Sequence, residues 1–568
     1  VNSLKFIKRM LPPAFETLDS RVFLSAGNLD PAFNHGELVI TPFANGSSVI
    51  TDIEVLPDGG FLAAGTVRVR DGTRPTDRTM LAIAKYHFDG TLDTSFGVNG
   101  KIENTPRGLT GAIRLQLTPD GGFIVMGNYE TNADDADFNG NPVVTGGGTL
   151  LKFTSSGRVD THFAKNGVLK PGRATTFTVD QQGRILVGGW RDHPVNATDA
   201  ILTRYTSGGA LDTSFADNGQ FVSVTPVTGE DINRWETFNS VAIDSQGRVV
   251  AGLEVFDTSG GDENTENLAE ADETLIRFSD NGEVDSSYVG QRITTLRQIA
   301  GVLDDGSALL IGKTIARVGA NGQLDSSYGN DGVANTDQLG VGLLHILGGQ
   351  ANDRFAVSPD GSIVFANIAA PGRFELTRID AQGDEDGTFG TGGTLTVGVD
   401  NDVHAQGYLS AVNLAPDASL VVGGQSGILS PTGRTDTREF VTGRVLTEFG
   451  PHVQLVPRTL KAPSLYLYIT VLIRDTDGVD LATLDDFDLK LMDSAGHARR
   501  FQFHGSQDLN GDGTSIAARY RMKGPGNAAW NSAGNGDYDV RLQKKQISNL
   551  NGNVATARTL GAVRVNIG

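Results

Sequence analysis

The sequence predicts an all-β chain, a seven-bladed β-propeller followed by an immunoglobulin-like β-sandwich. Three observations predict it. Two unrelated short signatures recur together at a period of roughly 60 residues over most of the chain. The two ends of the repeated stretch carry complementary parts of one unit. Beyond residue 450 the repeat stops and a different series of strands begins.

The first signature is Gly-x-Leu/Val-Asp-x-Ser-Phe/Tyr. It reads Leu29-Asp30-Pro31-Ala32-Phe33 at the start, then Leu92 to Phe96, Val159 to Phe163, Leu211 to Phe215, Val284 to Tyr288 and Leu324 to Tyr328. A degenerate copy runs from Glu385 to Phe389. Leu and Phe stand four apart, so one helical turn would place both on one face, with Asp capping free N–H groups. This piece is expected to pin the connection between units.

The second signature is a turn followed by a short apolar run, as in Pro57-Asp58-Gly59-Gly60-Phe61-Leu62-Ala63-Ala64-Gly65. Proline presets φ, aspartate bonds its own backbone, and glycine supplies φ > 0. The turn glycine recurs at Gly59, Gly121, Gly183, Gly247, Gly306 and Gly361, with Ala418 in the last slot, at spacings of 62, 62, 64, 59, 55 and 57. An amphipathic strand ending in a basic and an aromatic residue, such as Ala82 to Tyr86 or Ile201 to Tyr205, precedes each Leu-Asp piece.

Each period therefore holds about four short strands. A lone four-stranded sheet cannot bury both faces, but a ring of such sheets can. The last unit ends at Arg438 to Val445 without a Leu-Asp piece, while the chain begins with one, so the N-terminal segment is expected to complete the last unit and close the ring. A right-handed β-helix, the other fold open to long β repeats, normally uses shorter periods.

The pattern D-G-x-h-h-h-x-G followed by R-Y/F-x-x-x-G-x-L-D-x-S-F-G-x-x-G resembles the delta-60 repeat family of bacterial exported proteins, over roughly three quarters of the chain. The resemblance implies an extracellular or surface protein and no shared catalytic site. Residues 1–26 read as an export or leader segment, expected to be disordered. Within it, Phe15-Glu16-Thr17-Leu18-Asp19-Ser20-Arg21-Val22-Phe23-Leu24-Ser25-Ala26 is similar to the LEPR-XLL-type motif of large exported planctomycete proteins, which again implies export. The propeller is assigned to residues 27–450.

Residues 451–568 contain strand-like runs such as Tyr466 to Ile473, Ser515 to Met522 and Ala562 to Ile567, separated by turn signals. Roughly seven strands in about 115 residues fit a sandwich without cysteines. The segment resembles the Ig- or cadherin-like domains appended to bacterial surface proteins.

Composition narrows the function. The formal charge is −20, which repels phosphate backbones and anionic lipid, so nucleic acid is not expected as a partner. With no cysteine, disulfides, thiolate metal sites and cysteine nucleophiles are excluded. No apolar run is long enough for a transmembrane helix. A monomer is expected.

Two acidic loops are the candidate cation sites, with Ca2+ as the expected ion. Asp508, Asn510 and Asp512 begin a D-x-N-x-D-G-T run of EF-hand type, although Arg519 stands where such a loop carries glutamate. Asp475, Asp477 and Asp480 form the second. Both runs also read as turns. The stretch Gly306 to Thr314 imitates a phosphate loop but has five residues between its glycines where four are needed. The once-per-unit aspartates read as structural. Trp190 and Trp235 are candidates for a carbohydrate surface, with packing in a core or loop as the plainer reading. Insertions at Arg68 to Arg78, Asn132 to Asn139 and Asp257 to Asp272 are expected between the third and fourth strands of their units, all on one face of the ring.

The function expected from these features is a non-catalytic, exported or cell-surface binding protein whose propeller face takes an extracellular glycan or protein. The competing expectation is a hydrolase or lyase acting on polysaccharide at the central channel.

Overall fold

The computed structural model describes residues 29–567, apart from 70–77, 130–147, 224–233, 258–271, 336–354, 399–407 and 430–435 and stretches of one to three residues elsewhere. The described residues are almost entirely β, and the first part of the chain is a β-propeller built of antiparallel sheets.

One sheet exhibits the pattern. Strand Gly46–Val55 turns back at Leu56 to Gly60, where the Leu56 N–H donates to Gly60 O at 2.7 Å and the Gly59 N–H to Leu56 O at 2.8 Å. Phe61–Val69 and Arg78–Tyr86 follow antiparallel, and Lys101–Asn104 forms the outer edge. The same order recurs in the sheets that begin at Leu109–Leu117, Arg173–Val179, Arg234–Ile243 and Phe355–Val357. Three strands are described in the sheet beginning at Leu296–Val302.

The turn glycines explain themselves: Gly59 sits at φ +83°, and Ala418 occupies the same slot at φ +67°. A left-handed alanine costs about 1–2 kcal/mol, so Ala418→Gly is expected to stabilise the chain by about 1 kcal/mol. A raised midpoint in urea denaturation checks this; a lowered one would refute it.

The last sheet of the ring contains Tyr408–Leu414, Leu420–Leu429 and Asp436–Val445, and its outer strand is Val39–Thr41 from the start of the chain. Val39 pairs with Thr442 and Thr41 with Phe440, and the Asp30 N–H donates to Arg444 O at 2.8 Å. Apolar clusters lie between each sheet and the next. The series returns on itself, because Ile50, Ile53 and Phe61 pack with Ala411, Val421 and Phe440.

Two joints hold consecutive sheets together. At the inner strands, most units carry a β-bulge, and in three of them its hydroxyl reaches the following unit. Thr51 Oγ1 donates to Ala112 O at 2.9 Å, Thr175 Oγ1 to Phe238 O at 2.6 Å, and Ser410 Oγ to Ile50 O. Further out, the Leu-Asp-x-Ser-Phe piece packs onto the next unit. Phe96 lies so close to Gly157 that an added Cβ there would sit 2.8 Å from its ring, and the Gly97 N–H donates to Ser156 O at 3.0 Å.

That piece differs from expectation in two respects. It lies within a sheet, between the third and fourth strands, because the short outer strand follows it. Its Phe is buried, whereas its Leu or Val is only partly buried in four copies and exposed in two, at 43% for Leu211 and 50% for Val284, and Leu92 and Phe96 pack in different clusters, so the two do not share one buried face. The aspartate does cap: Asp212 Oδ1 accepts from Ser214 N (3.1 Å) and Ser214 Oγ (2.6 Å). Its other oxygen holds Arg204 Nε at 2.7 Å, and the guanidinium stacks 4.8 Å from the Phe215 ring centre. This is the structural role read for the repeated aspartates.

Beyond residue 450, two sheets pack face to face. One has the strand order His452–Leu455, Tyr466–Arg474, Ser515–Lys523, Gln502–Asp508. The other runs Thr459–Leu460, Thr559–Val565, Gly536–Leu542, Leu489–Met492, Ala498–Arg500, with the first pair parallel. Alternate residues of Tyr466–Arg474 are buried in the shared core with Trp530, whose Nε1 donates to Met522 O at 3.0 Å.

Asp488 is buried in this core, where it accepts from Tyr520 Oη at 2.5 Å and from Asp485 N at 2.8 Å. Burial pushes its carboxyl up to about 6. An ordinary aspartate titrates near 4 (about 3.9), so between about pH 4 and 6 the folded domain keeps a proton that the unfolded chain releases. Its stability should therefore fall as pH rises through that window, by about 1–2 kcal/mol after allowing for solvent screening. Calorimetry of the full chain checks this, with Asp488→Asn expected to flatten the slope; an unchanged slope would place its origin elsewhere.

Candidate functional site

The long insertions join the second and third strands of their sheets, not the third and fourth. Val69 leads to Arg78, Tyr129 to Thr149 and Asp257 to Asp272. The strand count shifts because the Leu-Asp piece lies inside the unit. Equivalent connections of equivalent sheets leave the strand ends that flank the insertions at the same end of the ring. The interiors of all three insertions, including 132–139, lie outside the described residues.

At that end, the sheets beginning at Arg173 and Arg234 join through a parallel bridge between Thr198 and Trp235. Thr198 fixes the bridge with its hydroxyl, which donates to Glu236 O (2.9 Å) and accepts from Glu236 N (2.8 Å). Behind it, buried Glu236 accepts from Ser223 Oγ, and Ser223 Oγ accepts from Ala200 N at 3.0 Å. Trp235 projects from this braced edge with 46% of its surface exposed. Trp190 pairs with Ala200 on the neighbouring strand and is half-buried, with the Arg173 guanidinium 4.1 Å from its ring centre. Strand spacing puts the two tryptophan backbones roughly 10–15 Å apart. Two ion pairs flank them, Arg173 with Asp192 (3.4 Å) and Arg191 with Asp199 (3.1 Å). An exposed indole beside carboxylates and guanidinium forks offers an apolar ring face for stacking and polar groups for hydroxyls. Core packing, the plainer reading of Trp235, does not hold.

The central channel holds a cavity of about 450 Å³ whose lining includes Asp52, Glu54, Arg114, Gln116 and Asn413 among apolar residues. Four of these polar groups bind the neighbouring inner strands. Asp52 Oδ2 accepts from Leu115 N at 2.5 Å, and Gln116 Oε1 from Val179 N at 2.8 Å. Arg114 Nη1 donates to Thr176 Oγ1 at 2.9 Å, and Asn413 Nδ2 to Ile53 O at 2.8 Å. Among the described residues, no histidine or tyrosine lines the cavity.

The two acidic loops meet at one end of the C-terminal domain, where Asp475 N donates to Thr514 O at 3.0 Å and Val479 N to Gly513 O at 2.9 Å. Asp508 accepts from the N–H groups of Asn510, Gly511 and Gly513, while Asp512 accepts from Thr514 N and Oγ1. The Asn510 side chain reaches Thr514 Oγ1 at 3.4 Å. Asp480 caps a short turn through Ala482 N at 3.0 Å, Asp475 accepts from Asn549 Nδ2, and Asp477 lies outside the described residues. The oxygens thus brace turns. Among the described residues, no three His, Asp or Glu side chains are grouped to hold a metal ion, and no helix is long and apolar enough to cross a membrane.

Sequence reasoning missed a row of aromatic and basic side chains on the outer face of the C-terminal domain. The alternation Tyr466-Leu467-Tyr468 and Arg519-Tyr520-Arg521 was the available signal.

Residues 183–215 match a family model described as "Domain of unknown function (DUF5122) beta-propeller". No curated protein matches the sequence. Similar solved structures include the polysaccharide lyase Uly1, at 11% identity and TM-score 0.38, covering 75% of this chain and 98% of that one. A fungal alcohol oxidase of the AA5 family in complex with copper is 13% identical with TM-score 0.33, covering 93% and 99%. The α-L-arabinofuranosidase Arb93A from Fusarium graminearum is 10% identical with TM-score 0.31, covering 74% and 97%. Likeness at this level says nothing of activity.

Proposed function

We propose that the chain is an exported or cell-surface binding protein without catalytic activity. In this reading, a seven-bladed propeller of delta-60-type repeats holds a glycan on its insertion-bearing face, and an immunoglobulin-like domain serves as spacer or attachment module. The observation that carries the binding role is Trp235, an exposed indole on a braced strand edge, with Trp190 and two ion pairs beside it. A rigid aromatic on a fixed scaffold loses little freedom on stacking against a sugar ring.

The immunoglobulin-like reading is supported by strand order. Labelled in chain order with one extra short strand after the first, the two sheets read A-B-E-D and A′-G-F-C-C′. Tyr538, near the start of the F-like strand, donates its hydroxyl to Gly534 O at 2.9 Å, as a tyrosine corner does. The non-catalytic reading is supported by the channel, where Asp52, Arg114, Gln116 and Asn413 are engaged with neighbouring inner strands.

A polysaccharide binding array with the full chain, with and without calcium, tests the proposal. Trp235→Ala is expected to weaken binding to the glycan it identifies by about tenfold or more. Unchanged binding by that variant would overturn the site. Release of new reducing ends or unsaturated uronates from any bound polymer would overturn the absence of catalysis and favour a hydrolase or lyase at the channel.

A further inference from the structure

The outer face of the sheet containing Tyr466–Arg474, Ser515–Lys523 and Gln502–Asp508 is divided in two. At one end, Arg474 lies over the Phe88 ring of the propeller at 3.7 Å and bonds Gln454 Oε1 at 3.1 Å, so that end is covered. At the other end the face is open and carries a regular pattern. Tyr466 is paired across the strands with Lys523, Tyr468 with Arg521, and Thr470 with Arg519. The Arg521 guanidinium stacks 4.8 Å from the Tyr466 ring centre and that of Arg519 4.4 Å from Tyr468. His504 packs on Tyr468 from the edge strand at 5.4 Å.

Among the described residues, no carboxylate forms an ion pair with Arg519, Arg521 or Lys523. In a chain of formal charge −20, a strip of three unpaired cations is a local reversal of sign. Stacking on tyrosine restrains each guanidinium, which preorganises it for contact with a carboxylate; Arg519 is exposed, and Arg521 is half-buried with its Nε shielded and without a hydrogen-bond partner. Successive outward residues on a strand stand about 7 Å apart, so the strip repeats a ring and a fork along a straight, narrow line.

We propose that this strip binds an anionic polysaccharide, a single extended chain of sugar rings bearing carboxylates. The partner follows from charge complementarity and shape. A flat sheet face offers rings to stack on and forks for planar acids. A nucleic-acid duplex is far more densely charged, so the overall negative field of the chain opposes it more strongly. This surface is separate from the tryptophan edge and does not depend on it.

Surface plasmon resonance of the full chain over immobilised polygalacturonate tests the proposal. Parallel surfaces carry dextran sulfate, neutral dextran and duplex DNA. Binding to polygalacturonate is expected to weaken at least tenfold in Arg519→Gln/Arg521→Gln and a few-fold in Arg519→Lys/Arg521→Lys, which keeps the charge and loses the fork. Every arm is repeated in a Trp235→Ala background, which removes the tryptophan edge, and the loss on removing the arginines is expected to persist there, so failure here and failure of the propeller site are distinguishable. Thermal melts show whether either double variant is folded, and Lys523→Gln, at the end of the strip away from Arg474, gives a third reading through an expected few-fold loss. Tighter binding to dextran sulfate than to polygalacturonate would assign the strip to sulfated glycans. Absence of binding to both, equal binding by wild type and the double Gln variant, or preference for DNA would overturn the proposal.

Discussion

Asp417→Asn is expected to destabilise the propeller by about 3–5 kcal/mol, because it removes the carboxylate that pairs with a buried guanidinium. Asp417 and Arg444 are both almost fully inaccessible, with Arg444 Nη1 3.9 Å from the carboxylate. Arg444 also donates to Gly59 O at 2.8 Å and lies over the Phe88 ring at 3.7 Å. The C-terminal domain reaches the same residue: His452 Nδ1 lies 3.1 Å and Arg558 Nη2 2.6 Å from the Asp417 carbonyl oxygen. Burial alone would raise the Asp417 carboxyl, but Arg444 and His452 hold it well below the usual carboxylate range. Its contribution is therefore present above about pH 4 and is lost as the pH falls below that. Urea denaturation at pH 7 checks the loss. A midpoint within error of wild type would mean that solvent reaches Arg444.

Deletion of residues 29–43 is expected to abolish cooperative unfolding of the propeller. The segment supplies the outer strand of the closing sheet and two buried rings. Phe33 lies 6.1 Å from Phe61, and Phe43 lies 4.6 Å from Phe440. Thr41 also accepts the Tyr86 hydroxyl at 2.7 Å. Truncating one buried phenylalanine costs about 3–5 kcal/mol, and whole-domain stability is about 5–15 kcal/mol, so losing both rings and a paired strand consumes the margin. Near-UV circular dichroism and limited proteolysis check this, with cleavage expected near Asp436–Val445. A sharp transition retained by the truncated chain would show that the open ring is stable.

The repeat was legible because turns and pinned connections are written in short contiguous runs. Pro-Asp-Gly and Leu-Asp-x-Ser-Phe each carry their geometry within a few residues. The complementary ends were legible for the same reason. What failed was the placement of the Leu-Asp piece, since its outer strand is as short as Val168–Leu169 in one unit and leaves almost no hydrophobic pattern. Trp235 was legible as a residue but not as an exposed one, because its exposure depends on a bridge to Thr198 in another sheet. The junction of Asp417, Arg444, Arg474 and Phe88 gathers residues from distant parts of the chain, so no local pattern announces it. The acidic loops were legible as turns, and their carboxylates serve turn N–H groups.

The backbone joints made just after the Leu-Asp piece point the same way. Asn34 donates to Asp89 O, Gly97 to Ser156 O, Ala164 to Gly208 O and Ala216 to Asn281 O, always forward along the chain. A duplicated copy would thus be born with a donor for its successor and an acceptor for its predecessor. Growth by duplication needs no new interface chemistry, and surface positions of each copy are then free to drift. The ring would have recorded its ancestry in polarity: only the closing sheet, which pairs Asp436–Val445 with Val39–Thr41, is assembled from the two ends of the repeated series.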